Sequence, residues 1–263
     1  MSAVQPVTDP ADPRLADYRD LMDADVRPDR RGIVIAEGVN VVERLARSAY
    51  SIRSVAGVPA KLAALGPLLQ NLECPVYELD KWLLSEVVGF RVTRGVLAAA
   101  DRPAPVPPQR LVASGQRFVV LEGINDFENL GAIFRNCAAF GVDAVLLDRR
   151  CADPLYRRSV RVSMGNVFGI GFATLPDPWP DSLELLRAAG VRLLALTPRP
   201  AATALAEFVA PQRWAIMLGA EGPGLSEQAL AAASDRIRIP MAAGVDSLNV
   251  ATAGAVALAR LCG

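Results

Sequence analysis

From about residue 32 to the end of the chain, short apolar runs alternate with stretches whose apolar positions recur every three or four residues. The runs predict buried strands, and the three-to-four spacing predicts helices packed on them. In the first half, Gly32–Gly38 (GIVIAEG) reads as a strand ending in a turn. Val39–Ser48 reads as a helix with Val42, Leu45 and Ala46 at helical spacing. SIRSVAG and PVYEL predict two further strands, PAKLAALGPLLQ a helix opened by Pro59, LDKWLLSEV a short helix, and RGVLAAA a closing segment. The second half resumes the alternation, with RFVVLEG, DAVLLD, VRLLALT, RWAIMLG and DRIRIPM as strands. Helices are expected around NLGAIFRNCAAFG, closed by Gly141, over Leu155–Val162 and Ser182–Ala189, and in SLNVATAGAVALARL. Such alternation implies an α/β fold with a mostly parallel sheet covered on both faces.

Asp101 to Gly115 carries four prolines between Pro103 and Pro108, the composition of an extended, semi-rigid connector. The expected organisation is a smaller α/β domain over 1–100, a linker over 101–115 and a larger domain over 116–263. Residues 1–12, polar and rich in Pro and Asp, are expected to be a flexible lead-in.

Composition removes several function classes. No run reaches the roughly 20 apolar residues a membrane span needs, and the N-terminus lacks the basic start and apolar core of a signal peptide. The expectation is a soluble, cytoplasmic protein. The chain has no histidine, and its four cysteines (Cys74, Cys137, Cys151 and Cys262) show no CxxC spacing. A structural zinc site is therefore not expected, and a histidine general base or Ser-His-Asp triad is excluded. The formal net charge is +0, whereas nucleic-acid binders are often basic. Local clusters at Arg27, Arg30 and Arg31, at Arg149 and Arg150, and at Arg157, Arg158 and Arg161 are either phosphate contacts or solvated surface.

Three motifs carry candidate chemistry. In NLGAIFRN, Asn129 and Gly131 sit at a loop-to-helix entry, and helical spacing turns Ile133, Phe134 and Cys137 inward and leaves Arg135 at a rim. An ordinary Asn N-cap with a surface arginine fits the same residues. In IMLGAEGPGL a strand runs into Gly219, Gly222 and Gly224, with Glu221 among them and a helix starting near Ser226. The glycines permit close backbone approach to a ligand, or serve only the turn. The GxGxxG dinucleotide fingerprint is absent, which disfavours a nucleotide-dependent oxidoreductase. In IPMAAGVDSLNV a strand meets Pro240, Ser247 is the expected N-cap of the last helix, and Asn249 lies in its first turn. That helix is nearly all apolar, which predicts burial, against the chain itself or another subunit.

Taken in order, the three motifs resemble the SpoU/TrmH family of RNA ribose 2′-O-methyltransferases, within the SPOUT superfamily, over roughly residues 117–263. RVSMGN (Arg161–Asn166) is a further family-like element. The first domain, with IAEGVNVVERL at its centre, is similar to the L30e-like RNA substrate-binding domain such enzymes often carry. Family members often have His and Gln before the glycine where this chain has Thr93-Arg94-Gly95-Val96. The resemblance implies a trefoil-knotted α/β methyltransferase domain, S-adenosylmethionine as methyl donor, a structured RNA substrate (ribosomal ahead of transfer RNA) and a homodimer formed through the C-terminal domain. It implies donor-binding roles for Thr197, Gly219, Ile239 and Leu248, and no metal. It assigns the catalytic group to Arg135 with Asn129, Glu221, Ser247 and Asn249, Glu221 being the alternative proton acceptor. A non-catalytic RNA-binding protein that keeps the fold is the rival reading.

Overall fold

The structure, a computed structural model, describes residues 4–19, 21 and 32–263. The Arg27, Arg30 and Arg31 cluster lies outside the described residues. The chain forms two compact units: residues 1–104 with 154–169, and residues 105–153 with 170–263.

The first unit is built on five strands: β1 (Val4–Pro6), β2 (Ile33–Glu37), β3 (Ile52–Gly57), β4 (Val76–Glu78) and β5 (Val96–Asp101), in the order β1-β4-β3-β5-β2. Instead of a flexible lead-in, residues 4–6 form an edge strand parallel to β4. β1, β4 and β3 are parallel, but β5 runs antiparallel to both β3 and β2. The register gives the reason. Gly57 pairs with Glu78 on one side and with Val96 on the other. The segment between β4 and β5 therefore leaves and re-enters the sheet at one end, and the returning strand must be antiparallel. The helix expected over PAKLAALGPLLQ is split into Pro59–Ala64 and Gly66–Leu69, because Gly66 and Pro67 interrupt it. One face of the sheet packs on Leu15, Tyr18, Leu84 and Val88.

Residues 154–169 complete this unit. The helix Arg157–Val162 packs against β2. The buried Glu37 carboxylate accepts from Arg157 Nη1 at 2.9 Å. Arg44 donates to the carbonyl of Met164, a residue in the left-handed region at φ 56°.

The second unit carries seven strands: β6 (Arg117–Glu122), β7 (Ala144–Leu147), β8 (Gly171–Thr174), β9 (Arg192–Leu196), β10 (Thr203–Ala204), β11 (Trp214–Gly219) and β12 (Asp235–Arg238). Their order is β10-β12-β9-β11-β6-β7-β8, and every pairing is parallel. The strands read as unbroken apolar runs because both faces are covered. Phe118, Val120, Leu193, Ala215 and Met217 are buried on one face with Leu183, Leu186 and Leu230. The expected linker is not extended throughout: Pro108–Ser114 is a helix, and its proline at the first helical position starts it without loss of a hydrogen bond. The last helix, Val250–Cys262, packs on the helix Phe127–Ala139, and Asn136 donates from Nδ2 to the carbonyl of Ala251 at 2.9 Å. Its buried stripe is Ala251, Gly254, Ala257, Leu258 and Leu261, while Val256 faces outward at 42% exposure. No described helix is long and apolar enough to cross a membrane.

Candidate active site

The chain runs outward through β6, β7 and β8, then crosses to β9 and returns to place β11 between β9 and β6. In parallel α/β sheets ligands bind beyond the carboxyl ends of strands where such a reversal occurs. At that edge lies a cavity of about 450 Å³. Its walls include Thr197 after β9, Gly219 and Glu221 after β11, Ile239 after β12, and Ser247, Leu248 and Asn249 before the last helix. Seven of the nine site residues expected from the sequence thus share one cavity; Asn129 and Arg135 do not line it.

The loop after β11 is set by backbone packing. Gly219 pairs with Glu122 in the sheet. A Cβ on Gly219 would land on the backbone of Gly224 and Leu225. The loop folds back so that Gly224 N–H donates to the Ala220 carbonyl at 2.9 Å. Ser226 then caps the helix Glu227–Ala232 by accepting from Ala229 N–H. The buried Glu122 carboxylate ties this turn to its neighbours. It accepts from Ser226 N–H at 2.9 Å, Trp179 Nε1 at 2.7 Å and Arg150 Nη2 at 2.9 Å. Three donors satisfy a charge that would otherwise be costly to bury. Glu122 was not among the expected site residues. Its position at the polar end of an apolar strand, just before Gly123, is the signal that could have singled it out.

The first and third motifs meet through a pair of helix caps. Neither Asn129, the N-cap of the alternative reading, nor Ser247, the expected N-cap, fills that role. The helix Phe127–Ala139 is capped by Asp126, which accepts from Glu128 and Asn129 N–H. Asn129 is thus inside the first turn and its side chain is available. The last helix is capped by Asn249, not Ser247; its Oδ1 accepts from Ala251 and Thr252 N–H. The Nδ2 of Asn249 donates to Asn129 Oδ1 at 2.7 Å and to Glu221 Oε1 at 2.9 Å. One side chain therefore caps a helix and joins all three motifs. Asn249→Ala is expected to lower stability by about 1 kcal/mol through the lost cap and to release Glu221. Asn249→Asp should retain the capping acceptor yet set a carboxylate against Glu221. Thermal melts paired with ligand titration should show the aspartate variant melting closer to the parent than the alanine variant, with both impaired at the site.

Arg135 stands apart. Six residues of helix separate it from Asn129, roughly 120° around the axis and about 9 Å along it. Its side chain is exposed and forms no hydrogen bond or ion pair within the described residues. Other arginines are engaged: Arg150 with Glu122 and Asp148, Arg149 with Asp177, and Arg157 with Glu37. The clusters at 149–150 and 157–161 are therefore in part structural rather than open phosphate contacts.

All four thiols are held in the protonated form. Burial pushes Cys74 up to about 11, and burial also raises Cys137, Cys151 and Cys262, with the Asp148 carboxylate adding to the effect at Cys151. None has the lowered pKa of a reactive cysteine. Among the described residues no group of acidic or cysteine side chains is arranged to hold a metal ion. The chemistry available in the cavity consists of amides, hydroxyls and the Glu221 carboxylate, with one guanidinium, Arg199, that is engaged by Glu227.

Residues 116–259 match the model of the SpoU rRNA Methylase family. An uncharacterized tRNA/rRNA methyltransferase of Mycobacterium tuberculosis is 49% identical over 261 residues, covering 97% of this chain and 90% of the relative. A 23S rRNA (guanosine-2′-O-)-methyltransferase of Burkholderia is 31% identical over 203 residues, covering 76% of this chain and 81% of that one. The crystal structure of an AdoMet-bound rRNA methyltransferase from Sinorhizobium meliloti aligns with a TM-score of 0.82 at 24% identity, over 98% of this chain and 97% of that one. At that identity the likeness is one of fold.

Proposed function

The chain belongs to the SpoU rRNA methylase family, and from that premise we propose that it transfers a methyl group from S-adenosylmethionine to a ribose 2′-hydroxyl of structured RNA, ribosomal RNA ahead of transfer RNA. The observation that carries this reading is the convergence of Asn129, Glu221 and Asn249 at a cavity lined by Thr197, Gly219, Ile239, Ser247 and Leu248. The cavity volume falls in the range of about 300–1,000 Å³ typical of small-molecule sites. Its donor set suits the ligand. Leu218, Leu225, Ile239 and Met241 supply apolar walls for a purine, and Thr197, Ser247 and the backbone around Gly219 supply polar contacts for a ribose. The sulfonium carries an activated methyl group, so no metal is needed.

The protein's task is then alignment and charge control. In this reading Glu221, which accepts from Asn249, orients the hydroxyl or accepts its proton. Arg135 enters as the cation that stabilises the oxygen as it loses that proton, since a guanidinium retains its charge in nearly all protein settings. The trefoil knot and the homodimer implied by the resemblance belong to the same reading. Val245, Leu248 and Val256, apolar and 49%, 40% and 42% exposed, support a second subunit covering this edge. A cytoplasmic location accords with an RNA substrate.

Mapping of 2′-O-methyl marks in total RNA from strains with and without the gene tests the function. One mark is expected to disappear in the deletion strain and to return on complementation. Isothermal titration with S-adenosylmethionine separates the rival, since a non-catalytic RNA-binding protein need not bind the donor.

A further inference from the structure

Among the described residues the large exposed apolar side chains are six valines and leucines and one aromatic, Trp82, at 86% exposure. An indole left this open is unusual, because tryptophan is highly buried on average. It lies on the helix Lys81–Val88 of the first unit, beside a groove of about 680 Å³ whose walls also include Lys81, Ser85, Glu86, Phe90 and Arg91.

The groove is a built feature. Asp80 caps the helix by accepting from Trp82 and Leu83 N–H, which fixes the backbone that carries the indole. Gly89 ends the helix in the left-handed conformation, at φ 80°, and turns the chain back on itself. Ser85 Oγ accepts from Val92 N–H at 3.1 Å and closes that turn. Phe90 is held from behind: the Arg157 guanidinium lies 4.4 Å from its ring centroid and is itself anchored by Glu37. The open side presents two cations, Lys81 and Arg91, neither of which forms an ion pair within the described residues, against one carboxylate, Glu86.

We propose that this groove is a nucleobase-stacking site for an unpaired nucleotide of RNA, with Trp82 as the stacking face and Lys81 and Arg91 as phosphate contacts. Proteins that hold single-stranded nucleic acid combine an aromatic face with cations that track the backbone, and unpaired bases are the parts of a folded RNA that such faces reach. Glu86 adds an acceptor for a base amino group. The proposal rests on the reading of this protein as an RNA methyltransferase, for which it names a substrate contact outside the methyl-transfer site.

The test uses the full chain and a labelled twelve-nucleotide single-stranded oligoadenylate. Trp82→Ala should weaken binding about tenfold with an unchanged melting temperature, since the indole buries little surface. Trp82→Phe should restore most of the affinity. Intrinsic fluorescence of the parent should be quenched by the oligonucleotide, and the quench should vanish in Trp82→Phe, because Trp179 and Trp214 lie elsewhere in the chain. Lys81→Gln with Arg91→Gln should lower the slope of log affinity against log salt by about one to two. A parent that does not bind the probe, or a Trp82→Ala variant that binds as the parent does, overturns the proposal. Titration of the same proteins with S-adenosylmethionine keeps the two readings apart. Trp82-dependent RNA binding without donor binding would sink the enzyme and leave the stacking site standing.

Discussion

Arg135→Ala is expected to reduce methyl transfer by about a thousandfold while leaving S-adenosylmethionine affinity within about twofold of the parent. The two halves of this expectation rest on different observations. Arg135 does not line the proposed donor cavity, and its side chain is exposed with no hydrogen bond or ion pair within the described residues. Removing it should therefore leave the cavity and the fold as they were. Its exposure and its unpaired charge leave it free to meet an RNA oxygen. A preorganised donor aimed at a developing oxyanion is worth about 10²–10³ in rate. Single-turnover transfer of labelled methyl to RNA carrying the unmodified target, alongside calorimetry with the donor alone, measures both quantities. Arg135→Lys should recover part of the rate if charge is what matters, and less if the planar fork is required. Transfer at near-parental rates by the alanine variant would remove Arg135 from the mechanism.

Gly219→Ala should act in the opposite way, eliminating donor binding and with it all activity. The added methyl has no open direction, since it would occupy space held by the backbone of Gly224 and Leu225. Backbone cannot swing aside as a flexible side chain does. The loop must unfold from the end of β11, and it takes Glu221 and the Ser226 cap with it. A loss of donor affinity of at least about a hundredfold is expected, together with a lower melting temperature. Gly222→Ala is the control. Gly222 sits at φ +86° with open space around it, so alanine there carries only conformational strain, about 1 kcal/mol. If Gly219→Ala binds the donor like Gly222→Ala, the tight return of this loop is not what forms the site.

Much of this was legible in the residues. The strands of the second unit stand out because burial on both faces demands unbroken apolar runs, as in RFVVLE and WAIMLG. The glycine loop after β11 is visible for the same reason, since a run of that kind cannot end in Gly-Ala-Glu-Gly without turning. The helix caps were harder. Asp126 and Asn129 lie at the start of one helix, and Asp246, Ser247 and Asn249 precede the other. Each of these residues can cap, and local preference does not rank them. At the last helix the cap is Asn249, whose amide nitrogen finds Asn129 and Glu221 across the fold. At the other it is Asp126, which leaves Asn129 to make that contact, and only tertiary structure supplies such partners. The antiparallel course of β5 was hidden because a strand carries no mark of its direction. The arginines were ambiguous in the same sense: Arg150 and Arg157 look like surface charge until Glu122 and Glu37 are seen buried beside them.

The segment 154–169 has a consequence for how this protein can be divided. It lies far along the chain, between β7 and β8, yet it completes the first unit, where Arg157 neutralises Glu37 and supports Phe90. A cut after Ala104 would therefore not release an intact module. The first piece would keep a buried carboxylate without its cation, a loss that is strongly destabilising for buried pairs. The second would carry the helix Arg157–Val162, with the buried Val160, without the strand β2 it packs against. The units are stitched rather than strung together, so exchange of one unit between relatives has to carry the 154–169 stitch with it.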